Sequence, residues 1–292
     1  MKIETLINLV GGELLNSPFI SEVTSFTDSV DSVTRGSCFF VTDGNDIEKA
    51  VEKGAYAIVS TEYETVTDAE IAWIKVASLQ KTVTDIFRYE NLQTTVYYCD
   101  EITEEIISKM KADPNIIILK NHHDLLESLN LNDKYLITSK REFSELANTE
   151  ILLPQNINLE KRTLFISRYK TEEINLPYVY KDEFSRAVKF FEDNNLKYSL
   201  DFKIDRFKPV FIDYLFREAE YGESEKVLIK GIKNDRFFFR ELNYLIENTK
   251  HAKTVIVNEE SKELLKKGFN FAMLVDFDVP VSKEYAEEGL FD

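Results

Sequence analysis

GSCFFVTDGNDIEKAVEKGAYAIVS, residues 36–60, reads as one complete β-α-β unit. Cys38-Phe39-Phe40-Val41 is a short apolar run of the kind that forms a buried strand. Asp43-Gly44-Asn45-Asp46 follows with turn chemistry, and Asn45 or Asp46 is placed to cap a helix. Ile47, Ala50, Val51 and Gly54 then recur at helical spacing with charges between them. Gly54 is the expected helix stop, and Ala55-Tyr56-Ala57-Ile58-Val59 supplies the next strand. A strand, a helix and a strand this close in sequence predict an α/β fold with parallel strands.

The flanks are informative too. Upstream stand a short amphipathic stretch, Leu9-Val10-Gly11-Gly12-Glu13-Leu14, and Phe26-Thr27-Asp28-Ser29-Val30 before Arg35-Gly36-Ser37-Cys38-Phe39. In order and approximate spacing, this resembles the small N-terminal domain of Mur ligases, ATP-dependent enzymes that add amino acids to UDP-MurNAc in peptidoglycan synthesis. That domain carries Gly-Gly-Glu-Leu, an Asp-Ser-Arg motif, Gly-Asp-Leu-Phe, an Asp-Gly-His-Asp-Phe element and Gly-Ala-x-Ala-Ile-Val. The resemblance runs to about Ile74-Lys75-Val76 and the helix after it. It implies substrate-binding roles for Asp28, Ser29, Arg35, Asp43, Gly44 and Asn45. One departure falls at the pocket: Val30 stands where the motif has its arginine, and valine cannot grip a phosphate or carboxylate as a guanidinium does.

A larger departure concerns the nucleotide. A Walker loop needs two glycines five residues apart, whose backbone N–H groups wrap phosphate, followed by lysine. The chain's glycines stand at 11, 12, 36, 44, 54, 222, 231, 268 and 289, and no pair has that spacing. No pair is two apart either, which removes the dinucleotide fingerprint. Where a Mur ligase has its loop, between a strand at Thr95–Cys99 and a helix at Glu101–Lys111, this chain has Cys99-Asp100-Glu101-Ile102-Thr103. Two acids stand where phosphates would lie.

The expected organisation is a Mur-ligase-like N-terminal α/β domain at 1–92, a reduced middle α/β region at 93–195 and a C-terminal Rossmann-like α/β domain at 196–292. In the middle, Ile116-Ile117-Ile118-Leu119, Tyr135-Leu136-Ile137 and Thr163-Leu164-Phe165-Ile166 are expected strands, with helices at His123–Leu129 and Asp182–Asn194. In the last part, strands are expected at 209–213, 227–230, 254–257 and 271–275, forming a mainly parallel sheet. The helix between Arg236 and Lys250 should face the core through Phe238, Leu242, Leu245 and Ile246. Arg206-Phe207 before Phe211-Ile212-Asp213-Tyr214, and Gly231-Ile232-Lys233-Asn234-Asp235-Arg236, resemble the entry strand and a Gly-Gly-x-Arg-Asp segment of the Mur C-terminal domain. Tyr221–Lys226 reads as a turn entering a strand.

The 292 residues carry a formal net charge of −16, which argues against nucleic acid or an anionic membrane surface as main partner. No run of eighteen apolar residues and no signal peptide is visible, so a cytoplasmic protein without membrane insertion is expected. Cys38 and Cys99 lie in apolar runs and read as buried thiols. His122-His123-Asp124 invites a metal reading, but adjacent helical residues point about 100° apart. With no third ligand in view, the motif reads as a solvated helix start, and no metal is expected. His251 reads as a helix-end cation, and Glu104-Glu105 and Glu259-Glu260 as exposed charge.

Two functions follow from the resemblance and its departures. The first is a Mur-like protein with no ATP-dependent chemistry and no cofactor, binding UDP-MurNAc-peptide or cell-wall synthesis proteins in a cleft. The second is a working peptidoglycan-precursor ligase using ATP and Mg at a non-standard site. That site would need phosphate-facing cations to converge from Arg35, Lys226, Lys230, Lys233 and Arg236.

Overall fold

Helix α1 (Ile3–Val10) leads through Gly11-Gly12 into β1 (Glu13–Leu14), and β2 (Ser25–Thr27), β3 (Ser37–Phe40), α2 (Ile47–Glu52), β4 (Ala57–Ser60), β5 (Ala72–Lys75) and α3 (Leu79–Glu90) follow. This is a computed structural model that describes residues 1–220, 224 and 226–282. The strands form one sheet in the order β1-β5-β4-β3-β2, antiparallel only at β1–β5. The β-α-β unit pairs in parallel register, Cys38 with Ala57 and Phe40 with Val59. Gly54 ends the α2 turn at φ 93°, and a Cβ there would stand 3.3 Å from the Arg35 Cα. Asp46 stands at the N-cap of α2 as expected but makes no side-chain capping bond there, and the side-chain contact comes from Asp43. Its carboxylate accepts the Asn45 N–H and shapes a 3-10 turn, Gly44–Asp46, that runs into α2.

The chain continues through β6 (Thr95–Tyr98), α4 (Glu101–Met110), β7 (Ile116–Ile118), α5 (His122–Ser128), β8 (Tyr135–Thr138), α6 (Arg141–Ser144) and β9 (Asn148–Ile151). These strands make an all-parallel sheet, β7-β8-β6-β9. By contact pattern, Met1–Glu104 and Asp113–Leu152 form one compact unit; Glu105–Ala112 and the residues from Leu153 onward form the second.

Alternation along the central strands of the first unit explains its core. Cys38, Phe40, Ala57, Val59, Ala72 and Ile74 face one side, and pack with Leu6, Ile86 and Phe87 from α1 and α3. The same cluster takes in Val96, Leu119, Leu125, Leu126, Leu136 and Phe143 of the second sheet and its helices, so a single apolar core underlies both sheets. Phe39, Ile58 and Trp73 face the other side, against Ile47 and Ala50 of α2. Both cysteines are buried free thiols, and burial pushes the Cys38 thiol far above its ordinary pKa.

In the second unit, β10 (Leu159–Lys161), β11 (Ser167–Tyr169) and β12 (Glu172–Ile174) form a small antiparallel sheet before α7 (Lys181–Asp193). Next come β13 (Lys208–Ile212), β14 (Lys226–Ile232), α8 (Phe238–Asn248), β15 (Thr254–Val257) and β16 (Phe271–Val275), in the order β13-β14-β16-β15. β14, β16 and β15 are parallel and β13 is antiparallel, so this sheet is mainly parallel as expected. No helix among the described residues is long and apolar enough to cross a membrane.

Several local expectations are corrected. Thr163–Ile166 is a turn, because the Thr163 hydroxyl accepts the N–H groups of Phe165 and Ile166 and bends the chain. Glu104 is buried, and its carboxylate accepts the Ser139 N–H at 2.6 Å. Burial pushes its pKa up, against the hydrogen bond from Ser139. On α8, Leu245 is buried as expected, but Ile246 is 50 % exposed while Glu241 is fully buried. The expected turn at Tyr221–Lys226 lies mostly outside the described residues, at 221–223 and 225.

Glu241 is inside because Arg206 is there to meet it. The Arg206 guanidinium donates to both Glu241 oxygens at 2.5 and 2.9 Å and to both Asp235 oxygens at 2.6 and 2.8 Å. Tyr180 adds a donor to Glu241 at 2.5 Å. Burial works against the Arg206 charge, but the carboxylate partners outweigh it and hold its pKa above the ordinary value. Truncating one member of such a cluster strands a buried charge, so Arg206→Met is expected to cost about 3–5 kcal/mol in urea unfolding. Gly231 makes a second requirement. At φ 76°, a Cβ would lie 2.0 Å from the Asp205 carbonyl oxygen, so Gly231→Ala is expected to lose about 2–4 kcal/mol in the same assay.

Candidate functional site

Parallel strands end together, and ligands of open α/β sheets bind beyond their carboxyl ends. In the first unit a cavity of ≈ 470 Å³ lies at that edge. Asp28 enters it just after β2, Phe40 and Thr42 at the end of β3, Thr61 after β4, and Ala77-Ser78 after β5. Leu79 and Gln80 of α3 complete one wall, and His122 and Leu126 of α5 another. The Ser78 hydroxyl accepts the Lys81 N–H at 3.3 Å as the cap of α3, so the amino end of a twelve-residue helix forms part of the lining. First-turn N–H groups have no partner within their own helix and favour anionic ligand atoms.

The α5 wall is fastened to the sheet by polar contacts. The Asn130 side chain accepts the Phe26 N–H at 2.9 Å and donates to the Phe26 carbonyl at 2.7 Å, taking up the open edge of β2. The Thr27 hydroxyl donates to the Glu127 carboxylate at 2.9 Å and accepts the Ser29 N–H at 3.1 Å. His123 Nδ1 stands 2.5 Å from Asp28 Oδ1. That hydrogen bond raises the His123 pKa above its ordinary 6.5; partial burial opposes the shift, and the charges of Asp28, Glu127 and Asp124 add to it. His122 turns the other way and packs edge-on against Phe143, with centroids 5.4 Å apart.

One partner was out of view in the sequence reading. His122-His123-Asp124 has no third ligand only while neighbours in sequence are considered. In the structure Asp28, His123 and Glu127 converge, with their donor atoms within 4.8 Å of one another. The signal for it was the i, i+4 spacing of His123 and Glu127, which puts both on one helix face. The third member lies 95 residues earlier and carries no local signal.

The other residues singled out from sequence fall in different places. Ser29 follows Asp28 and its N–H is taken by Thr27. Asp43, Gly44 and Asn45 follow Thr42 in the 3-10 turn at the cavity edge of the sheet. Arg35 lies before β3, at the amino ends of the parallel strands and away from the cavity, with its Nε donating to the Tyr56 hydroxyl at 2.9 Å. Val30 packs into the apolar cluster of Phe39 and Ile47, an environment no guanidinium would take unpaired. In the second unit, Lys226 and Lys230 stand on β14 four residues apart, about 13 Å at ordinary strand rise. Lys230 pairs with Asp278 at 2.6 Å, Lys226 lies 5.8 Å over the Phe269 ring, and Arg236 lies 4.8 Å over the Phe237 ring. Lys233 is exposed in the turn between β14 and α8.

The turn between β6 and α4 is also filled. Asp100 accepts the N–H groups of Ile102 and Thr103 at 3.0 and 2.9 Å and the Thr103 hydroxyl at 2.7 Å, so its carboxylate occupies the amino end of α4.

The Asp28–His123 pair gives a direct test. A histidine whose folded pKa is raised contributes stability that is present below its unfolded pKa and is lost as pH rises through the folded one. NMR titration in chelator-treated buffer should place His123 above 6.5, and Asp28→Asn should lower it toward that value. A His123 titration unmoved by Asp28→Asn would contradict the pairing.

No protein-family profile and no curated protein matches the sequence. Solved structures do match the fold. MurF from Acinetobacter baumannii aligns over 88% of this chain and 78% of its own, with 9% identity and a TM-score of 0.50. The UDP-N-acetylmuramoylalanyl-D-glutamyl-2,6-diaminopimelate–D-alanyl-D-alanyl ligase from the same organism covers 94% of each chain at 8% identity and a TM-score of 0.49. MurF from Thermotoga maritima, in complex with ADP, covers 84% and 81% at 14% identity and a TM-score of 0.44. With mixed α/β units built on mainly parallel sheets, the chain has a Mur-ligase-like fold.

Proposed function

We propose that this chain is a Mur-ligase-like protein of peptidoglycan precursor metabolism that binds a UDP-MurNAc-peptide in the cavity beyond β2–β5 and does not ligate. The observation that carries this reading is the capped β6–α4 turn. A phosphate loop works by leaving successive N–H groups free for phosphate oxygens and adding a lysine. Here the Asp100 carboxylate holds those of Ile102 and Thr103, and its negative charge opposes a polyphosphate. On this reading the protein uses neither ATP nor magnesium, works in the cytoplasm, and acts as a binding or scaffold component beside cell-wall enzymes.

The cavity supports the ligand half of the proposal. It combines the amino end of α3, suited to anionic oxygens, with apolar surface from Phe40, Val83 and Leu126 for a ring to lie against. The rival reading, a working ligase, needs cations gathered around a triphosphate. The spacing of Lys226 and Lys230 along β14 and the pairing of Lys230 with Asp278 weigh against it.

Calorimetry with UDP-MurNAc-pentapeptide, with and without Mg-ATP, tests both halves alongside a phosphate-release assay. Binding in the micromolar range without phosphate release is expected, weakened about tenfold by Leu126→Arg, which fills the cavity wall with a charge. Phosphate release that depends on the precursor would establish the ligase reading instead. Absence of binding heat at several temperatures would remove the precursor as ligand.

A further inference from the structure

Two carboxylates and one imidazole meet at the rim of the cavity, and among the described residues neither carboxylate pairs with a lysine or arginine. We propose that Asp28, His123 and Glu127 bind a divalent transition-metal ion of the zinc class, with coordination positions left open for water or an anionic ligand oxygen. The site goes beyond the precursor-binding reading and holds whatever fills the cavity.

The donor set argues for the class of ion. Calcium takes six to eight oxygen ligands and magnesium an octahedron of oxygens with retained waters, whereas one imidazole nitrogen beside two carboxylates suits zinc, cobalt, nickel or manganese. Three protein donors with the remainder open is the arrangement of exchangeable and catalytic sites, while closed four-ligand sites are structural. Tetrahedral coordination at zinc bond lengths places donors about 3.3 Å apart. In the structure His123 Nδ1 and Asp28 Oδ1 are 2.5 Å apart, and all three donors lie within 4.8 Å. An ion therefore takes the place of the hydrogen shared by His123 and Asp28, with adjustments of about 1 Å in surface side chains. Access is open, since the His123 side chain is 50% exposed.

Independent contacts hold the donors in place. His123 and Glu127 project from one face of α5, and Asn130 fastens that helix to the Phe26 backbone, immediately before the residues that carry Asp28. The Thr27 hydroxyl, itself positioned by the Ser29 N–H, orients the Glu127 carboxylate. Hydrogen bonds of this kind set ligand orientation, and their loss commonly weakens metal affinity about 10–100-fold. Among the described residues no other three His, Cys, Asp or Glu side chains converge in this way.

Zinc chloride titrated calorimetrically into chelator-treated, desalted protein tests the site. One ion per chain with a dissociation constant in the micromolar range or tighter is expected, weakened about tenfold or more by His123→Ala and by Glu127→Gln. His251→Ala should leave the affinity unchanged. Circular dichroism would confirm that the variants fold. A second readout uses the unaltered protein: paramagnetic cobalt should shift or broaden the His123 ring signals. Absence of saturable binding, equal affinity in His123→Ala, or cobalt effects that spare His123 would overturn the proposal.

Discussion

A single amide fixes the geometry on which the candidate site depends. β2 is the edge of its sheet, and an edge strand offers backbone groups that water or another chain can take. The Asn130 side chain meets the Phe26 N–H and carbonyl together, as a neighbouring strand would. Because Asn130 lies just beyond α5, the contact sets that helix against β2, and Leu125 and Leu126 seal it into the core below. The cavity wall, the Thr27–Glu127 bond and the Asp28–His123 pair all follow from where α5 is held.

The fold is Mur-ligase-like, and several of its charged groups serve the structure itself. At the β6–α4 turn the helix end is satisfied by Asp100. In the second unit the guanidinium of Arg206 serves two carboxylates of the protein, Glu241 and Asp235. Val30, partly buried, packs against the apolar cluster of Phe39 and Ile47.

How far the sequence could be read depended on the range of the interaction. The β-α-β unit at 36–60 was legible because its signals are local: a buried run, a turn, helical spacing and a glycine. The strands at 116–118, 135–138 and 271–275 were legible for the same reason. β9 was not, since Asn148-Thr149-Glu150-Ile151 is exposed throughout and carries no apolar pattern. The Thr163–Ile166 run misled because one hydroxyl capturing two N–H groups overrides strand propensity. On α8, periodicity could not show that Glu241 is a core position, because its partner Arg206 is 35 residues away. The Asp28–His123–Glu127 cluster was hidden likewise: adjacency drew the eye to His122 and Asp124, while the relevant neighbours were one helical turn and one whole sheet away.

Trp73 stands at the centre of the face opposite the α5 side, 1% exposed, with its indole N–H donating to the Asp68 carbonyl at 2.8 Å. It is the only tryptophan in the chain. Excited selectively, its fluorescence therefore reports the integrity of the first unit alone, whereas far-ultraviolet dichroism sums the helices of both. The protein thus carries a built-in optical probe: the two signals coincide during unfolding only where the two units melt as one.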